Sequence, residues 1–326
     1  MKKHILITGG FGFIGTHCIQ QWKNMGWEIS VIDNLSTNAI KPESIEADGV
    51  RFTKMDIVDM KGMWGAPVFP KFDLILHLAS PVGPVGVLKH SGNMARIILD
   101  DIYSVIEGAK VNKCPLVFVS TSEIYGHRSG KTYLKEEDDK VLHGNFTVRN
   151  EYSVAKLLSE IVLSNTAKID RSFRYQIIRP FNVTGAYQLP DGGFVLPRFV
   201  SQAINGEDIT VYGSGDQIRA FTWVKDIVCG ICQVANAPEH LWNQEWNIGN
   251  EDNERPIIYL AEMVKAMSGS KSQIAHVDPK TLHGPLFEEA PEKIPDSGKI
   301  RDLLKWAPTK NVDQVIKEVI DHYARK

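Results

Sequence analysis

No run in this 326-residue chain approaches the roughly 20 consecutive apolar residues that span a bilayer, which excludes an ordinary membrane helix. An excess of one charge sign is missing too: 37 Lys and Arg stand against 39 Asp and Glu, a net charge of −2. That balance argues against nucleic acid or an anionic membrane as a partner. It leaves room for a local cluster of Arg and Lys around a charged nucleotide. Cysteine is scarce, with Cys18, Cys114, Cys229 and Cys232. Cys229-Gly230-Ile231-Cys232 has the spacing of a redox or zinc motif, yet no second pair or nearby His completes a metal site. Ile227, Val228, Ile231 and Val234 read instead as one buried helix side, so these are small core thiols and no metal is expected. Internal repeats and low-complexity segments are also lacking. The apolar run His4–Ile7 breaks at Thr8-Gly9-Gly10, too early for a secretory signal, and reads as a buried first strand of a cytoplasmic protein.

What is present is the texture of an α/β protein. Apolar residues make up 43% of the chain and charged ones 23%, ordinary for a globular fold. Candidate strands at His4–Thr8, Glu28–Asp33, Arg51–Lys54, Leu74–Leu78, Leu116–Ser120 and Tyr175–Arg179 alternate with helical patterns at Gly12–Met25, Ile97–Lys110 and Tyr152–Ala167. Alternation of this kind specifies a doubly wound parallel sheet. Leu116-Val117-Phe118-Val119 has no polar alternation, as a strand buried on both faces requires. Beyond Pro180 two Gly- and Pro-rich stretches, Thr184–Gly193 and His276–Pro295, read as long loops. Around them the pattern gives helices near Leu196–Asn205, from Asp226 to about Ala237, at Ile258–Met267 and at Val312–Tyr323, with a short strand Ile209–Tyr212. The charged run Lys135–Lys140 reads as a solvated loop.

Directly after the first strand stands Gly9-Gly10-Phe11-Gly12-Phe13-Ile14-Gly15, leading into a helix. Glycines there permit a tight turn and let backbone approach a pyrophosphate at the helix N-terminus. By itself such a turn could be a plain strand–helix connection. The second strand, however, ends in Asp33, 18 positions beyond Gly15, where an acid binds the adenosine ribose. Asp33 would repel a 2′-phosphate and no Arg or Lys follows in Asn34–Asn38, which favours NAD over NADP. Asp56-Ile57, after the third strand, is a candidate adenine contact or a turn.

Of nine tyrosines only Tyr152 has a Lys four residues on, Lys156, which places both on one helix face. A phenol is a poor base at neutral pH, and an adjacent ammonium together with a positive nicotinamide would lower its pKa. A surface Tyr beside a solvated Lys is the plain alternative. Against it stands Ser120-Thr121-Ser122-Glu123, which puts hydroxyls at the C-terminal edge of the sheet, where ligands of open α/β sheets bind.

With the glycine turn, Asp33-Asn34, His77-Leu78-Ala79-Ser80, Thr121–Gly126, Tyr152/Lys156, Arg179-Pro180-Phe181-Asn182, Val211–Gly215, Arg219-Ala220-Phe221 and Leu304–Pro308 in this order, the chain resembles an extended short-chain dehydrogenase/reductase of the nucleotide-sugar-modifying group. The resemblance implies a Rossmann-type NAD-binding domain over residues 1–182, with 216–248 returning to it. It implies a smaller, interleaved substrate-binding lobe from 183–215 and 249–326, and a homodimer built on helices. It further implies bound NAD recycled within each turnover. Gly9, Gly12, Phe13, Ile14, Gly15, Asp33, Asn34, Asp56, Ile57, Leu78, Ala79, Ser80, Tyr152 and Lys156 are the cofactor residues so implied. Arg149, Asn182, Arg198, Val211, Tyr212, Arg219 and Lys293 are the residues for a nucleotide sugar, UDP-linked in the nearest relatives.

Thr121, Ser122, Glu123, Tyr152, Lys156 and Arg219 carry the catalytic reading. Dehydratases of the group place an Asp where Ser122 stands, and 4-epimerases use two small neutral residues. Ser122-Glu123, with Arg149 and Arg219, is similar to UDP-glucuronate decarboxylases. Glu123 would then assist proton handling at C5 and Arg219 would hold the carboxylate or diphosphate. The chain departs from that pattern at Gly185-Ala186-Tyr187 (Gly-Pro-Arg in the relatives), at Lys293 for a nucleotide-binding Arg and at Lys225 for an Asp. An NDP-sugar 4-epimerase or dehydratase is the alternative; a non-catalytic NAD-binding protein, which would tend to lose Tyr152 or Lys156, is the distant one.

Overall fold

Seven short strands, the central ones buried on both faces, assemble into one all-parallel sheet in the computed structural model. The structure describes residues 2–41, 49–126, 133–142, 144–288 and 292–325. The strands are β1 His4–Thr8, β2 Glu28–Asp33, β3 Arg51–Lys54, β4 Leu74–His77, β5 Leu116–Val119, β6 Tyr175–Pro180 and β7 Gln244–Ile248. Their order across the sheet is β7-β6-β5-β4-β1-β2-β3. Strand order reverses between β1 and β4, and there the C-terminal ends open a crevice. Alternation along β1 explains the layering. Ile5 and Ile7 point into a core shared with α1 (Phe13–Asn24), while Leu6 points into the opposite core with Ile75, Phe118 and Ile102.

On that second face lie α3 (Met94–Asn112) and α4 (Val148–Ile169), preceded by the short α2 (Gly83–Lys89). After β6 the chain forms α5 (Val195–Asn205), α6 (Val224–Ala235), α7 (Ile257–Ser268) and α8 (Val312–Tyr323). Packing of α5, α7 and α8 around Leu196, Phe199, Leu260, Val315 and Ile316 makes a separate apolar core beside the sheet. Helix α6 instead packs on α1, and its Ile227, Ile231 and Val234 join the core with Trp246 and Trp306.

Several elements differ from the sequence reading, each for a local reason. Helix α4 starts at Val148 because Thr147 and Asn150 form a reciprocal capping box, an Asn standing where Glu or Gln gives the usual signal. The start of α3 is satisfied from outside: Glu151 of α4 accepts from Gly92 N at 2.6 Å and Ala95 N at 3.0 Å. Strand β7 lies in a segment with no clean alternation and forms because β6 offers a free edge with which it pairs in parallel. The stretch from His276 includes the end of a strand, Ile274–Val277, paired with Ile209–Tyr212, and a short helix Pro279–His283.

Two further readings need correction. Cys229 is exposed while Cys232 is buried, because the helix turns the former outward beside Lys225, one turn earlier. Within Lys135–Lys140, Glu136 is half-buried: its carboxylate accepts from Asn247 N at 2.8 Å and its carbonyl accepts from Arg179 Nη1 at 3.0 Å. Among the described residues no helix is long and apolar enough to cross a membrane.

Trp306 is fully buried and its indole N–H donates to Asp226 O at 2.9 Å. Trp306→Ala should therefore lower unfolding free energy by about 3–5 kcal/mol, read by chemical denaturation.

Candidate active site

The glycine turn is shaped by two close approaches. Gly9 has φ +66°, and a Cβ there would lie 2.7 Å from Ala79 N. A Cβ on Gly15 would lie 2.3 Å from Gly9 O. The turn after β1 is thus pressed against the segment after β4 on one side and the first turn of α1 on the other. Gly12 caps α1 without any side-chain hydrogen bond, so the free N–H groups of that turn suit an anion. Thr8 ties the same two strand ends together: Oγ1 accepts from Leu78 N and Ala79 N, both at 3.2 Å, and meets His77 Nδ1 at 2.7 Å.

Asp33, at the end of β2, accepts from Phe11 N at 2.9 Å and Leu35 N at 2.8 Å. Burial raises its pKa and these two backbone bonds oppose the rise. Asn34 Nδ2 donates to Asp56 Oδ1 at 2.6 Å, which fixes the rim beyond it.

A continuous cleft of about 1220 Å³ runs from this turn across the sheet edge to α5 and Arg219. Every candidate site residue from the sequence lines it except Val211 and Lys293. Val211 is fully buried in the α5–α7–α8 core, because its strand points alternate side chains to opposite sides and gives the cleft to Tyr212. The sequence reading missed Asp101, Gln217, Phe287 and the Gly83–Val87 stretch, all on the wall. Gly83–Val87 carries no motif or periodic pattern, and Phe287 sits in a segment without periodicity. Tyr187, the last residue of the Gly185-Ala186-Tyr187 departure, is not on the wall; it has φ +70° and packs against His17 and His322.

Tyr152 and Lys156 lie one turn apart on α4, both buried. The Thr121 hydroxyl hydrogen-bonds the Tyr152 phenol. Burial pushes that phenol above its ordinary range against the Thr121 bond; Glu123 adds to the rise and Arg149 opposes it. The expected lowering by Lys156 is therefore not what governs the phenol here. Lys156 Nζ donates to Val119 O at 3.1 Å, and burial pushes it down to about 8 against the charges of Asp101 and Glu160. Neighbouring His77 is held down at about 3 by burial and by Lys156, so it stays neutral.

Glu123 sits between two cations. Its Oε2 meets Arg149 Nη2 at 2.8 Å and its Oε1 meets Lys293 Nζ. Burial disfavours the anion, but Lys293 and Arg149 outweigh it and hold Glu123 down at about 2. Lys293 is thus buried behind Glu123 rather than set in the cleft wall as a nucleotide ligand. Burial brings it down to about 8; Glu123 resists, whereas Arg149 and Arg219 reinforce the fall. Arg219 Nη1 donates to Ile218 O at 2.8 Å, and Asn182 Nδ2 donates to Ala220 O at 3.3 Å. Further along the cleft the Arg198 guanidinium stacks 3.7 Å over the Tyr212 ring, and Phe287 packs edge-on against the same ring.

Ser120 Oγ and Arg149 Nε are buried polar atoms on the wall without a hydrogen-bond partner among the described residues. Their positions, at the ends of β5 and α4, are where bound polar groups would satisfy them. The glycine cradle, the uncapped helix and Asp33 fit a dinucleotide.

The profile of the NAD dependent epimerase/dehydratase family matches residues 5–249. The chain belongs to this family. It is an NAD-dependent enzyme of the nucleotide-sugar epimerase, dehydratase and decarboxylase group. Along 325 residues it is 30% identical to UDP-N-acetyl-alpha-D-glucosaminuronate decarboxylase of Bacillus cytotoxicus, covering 99% of this chain and 98% of that one. UDP-glucuronic acid decarboxylase 1 of Danio rerio is 28% identical across all of this chain and 73% of its own length. In fold it is similar to UDP-glucose 4-epimerase of Thermotoga maritima solved with UDP-glucose, with TM-score 0.86, 23% identity and 99% of both chains covered.

Gly15→Ala places a methyl group 2.3 Å from Gly9 O. NAD affinity should fall by roughly tenfold or more, read by calorimetric titration beside a melting curve of the same variant.

Proposed function

We propose that the enzyme decarboxylates a UDP-linked uronic acid through a 4-keto intermediate, with UDP-glucuronate as the substrate. The observation that carries this reading is the charge at the sugar end of the cleft. Arg149 and Lys293 grip a single anion, Glu123, while Arg219 lies near enough to depress Lys293. Arg149 and Arg219 both set their guanidinium groups on the cleft wall, where a carboxylate would meet them and a neutral hexose would not. The unpartnered Arg149 Nε points to the same need. Relatives named as uronate decarboxylases support it.

When bound, NAD supplies the hydride acceptor for C4 and a positive charge that favours the Tyr152 phenolate. Tyr152 takes the C4 hydroxyl proton, and Thr121 steadies the phenol. Oxidation at C4 leaves the C6 carboxylate β to a ketone. The C5–C6 bond then breaks, CO2 departs and its electron pair enters the C4–C5 enolate. Arg149 and Arg219 orient the carboxylate. Glu123 is ionised throughout the working range, so it is a poor proton donor. Lys293, with its pKa brought to about 8, is the cation of the trio that gives up a proton near neutrality. The Lys293–Glu123 pair therefore supplies the proton at C5, in place of Glu123 alone. Arg198, Tyr212 and Phe287 suit the nucleoside diphosphate.

A 2-acetamido uronate is the second reading, favoured by the full-length match to the Bacillus cytotoxicus relative. Epimerisation and dehydration stand behind both, and Ser122 lacks the acidity that dehydration asks of that position. Residues 183–215 and 249–326 serve as the substrate lobe in this reading. We further infer a homodimer: Val154, Leu158 and Ile161 are 41%, 41% and 47% exposed along one stripe of α4, beside Tyr103 of α3 at 56%. The four cysteines are free thiols, in keeping with a cytoplasmic setting.

Incubation with NAD and each uronate, followed by CO2 release and product NMR, tests the reaction. CO2 and a pentose product are expected; a 4-epimer without CO2 would overturn decarboxylation. Tyr152→Phe should lower turnover by about 10²–10⁴-fold while NAD still binds. Leu158→Asp should shift the protein to a monomer in sedimentation, and an unchanged sedimentation coefficient would count against the α4 interface.

A further inference from the structure

Lys156 is 2% exposed, and its ammonium donates to a neutral carbonyl, Val119 O. A charge so far from water needs an anion nearby. Two carboxylates lie on the helices around it: Glu160, one turn further along α4, and Asp101, on α3, which packs directly against α4 and shares the cleft wall. Glu160 is already committed. Arg179 Nε holds its two oxygens at 3.1 and 3.2 Å, and Arg179 Nη2 reaches one of them at 2.6 Å. Asp101 is different. It is buried and lines the same cleft wall as Lys156, and its carboxylate takes a backbone hydrogen bond from Val58. Among the described residues no Lys or Arg is in ion-pair contact with it.

We propose that Asp101 is a positioning residue for hydride transfer: its carboxylate is the counter-charge that keeps Lys156 an ammonium beside Tyr152. This rests on the proposed roles of Tyr152 and Lys156, and it adds a residue from α3 that none of the sequence motifs contains. The groups around the pair are few. Glu160 acts on Lys156 from its own helix, and His77 of β4, also close by, is neutral. Asp56 and Asp100 act on Asp101 and favour its protonated form. Burial raises Asp101 to about 7, with Lys156 opposing, and burial lowers Lys156 to about 8, with Asp101 opposing.

The sign of the coupling follows. Below about pH 7 Asp101 carries a proton and contributes little charge. Above it the carboxylate ionises and holds the proton on Lys156 to higher pH. Asp101→Asn copies the protonated form at every pH, so Lys156 should lose its proton earlier as pH rises.

The test uses the full chain, with and without saturating NAD, carrying 13C at lysine Cε and assigned by Lys156→Met. In Asp101→Asn the Lys156 titration midpoint should fall by about one unit, a tenfold loss of proton affinity, and Asp101→Glu should restore it. In parallel, the ratio of variant to wild-type kcat/KM should decline from pH 6 to pH 9 as the alkaline limb moves down. An unmoved Lys156 midpoint, or an activity loss of equal size at every pH, overturns the proposal. A shifted midpoint in a protein that releases no CO2 from either uronate would instead remove the substrate reading and leave Asp101 in place.

Discussion

All seven strands of the sheet are parallel, so each delivers its chain to the same edge. The remaining features of the site depend on that constraint. Gly9 follows β1, Asp33 ends β2, Ala79 follows β4, and Thr121 follows β5. Residues scattered over more than a hundred positions therefore meet along one crevice, opened where strand order reverses between β1 and β4. Helix α4 then brings Tyr152 and Lys156 to the same rim from the face of the sheet. Gly9 and Gly15 make the crevice deep, since any side chain on them would strike backbone.

Burial is the second organising force, and it works on charge. Lys156 and Lys293 are both brought down to about 8. In each case desolvation lowers the pKa and a carboxylate resists, Asp101 for one and Glu123 for the other. The difference lies in contact. Glu123 is locked directly between Arg149 and Lys293, which hold its carboxyl down, whereas Asp101 has no ion pair among the described residues and burial raises it to about 7. One carboxylate is thus a fixed charge and the other a variable one.

Most of the framework was legible in the chain. Strands β1, β4 and β5 announce themselves as apolar runs, and six of the seven strands were found with boundaries within a residue. The glycine turn with Asp33 and the Tyr152–Lys156 pair were legible because their chemistry depends on spacing along the chain, four residues on a helix or a turn between strand and helix. The seventh strand, β7, was not legible, since its pairing partner β6 lies some 65 residues away and decides its conformation. The start of α3 was hidden for the same reason, its cap being Glu151 of another helix.

The sequence by itself determined the fold class, and it set the glycine turn with Asp33 and the Tyr152–Lys156 pair on their strand ends and helix face, because each rests on local periodicity and backbone freedom. Tertiary structure alone decided where the charges act. It withdrew Val211 into a core, moved Lys293 from an expected nucleotide contact to the back of Glu123, and set Asp101 of α3 on the same cleft wall as Lys156. Burial and charge pairing are properties of neighbours in space, and no spacing along the chain records them.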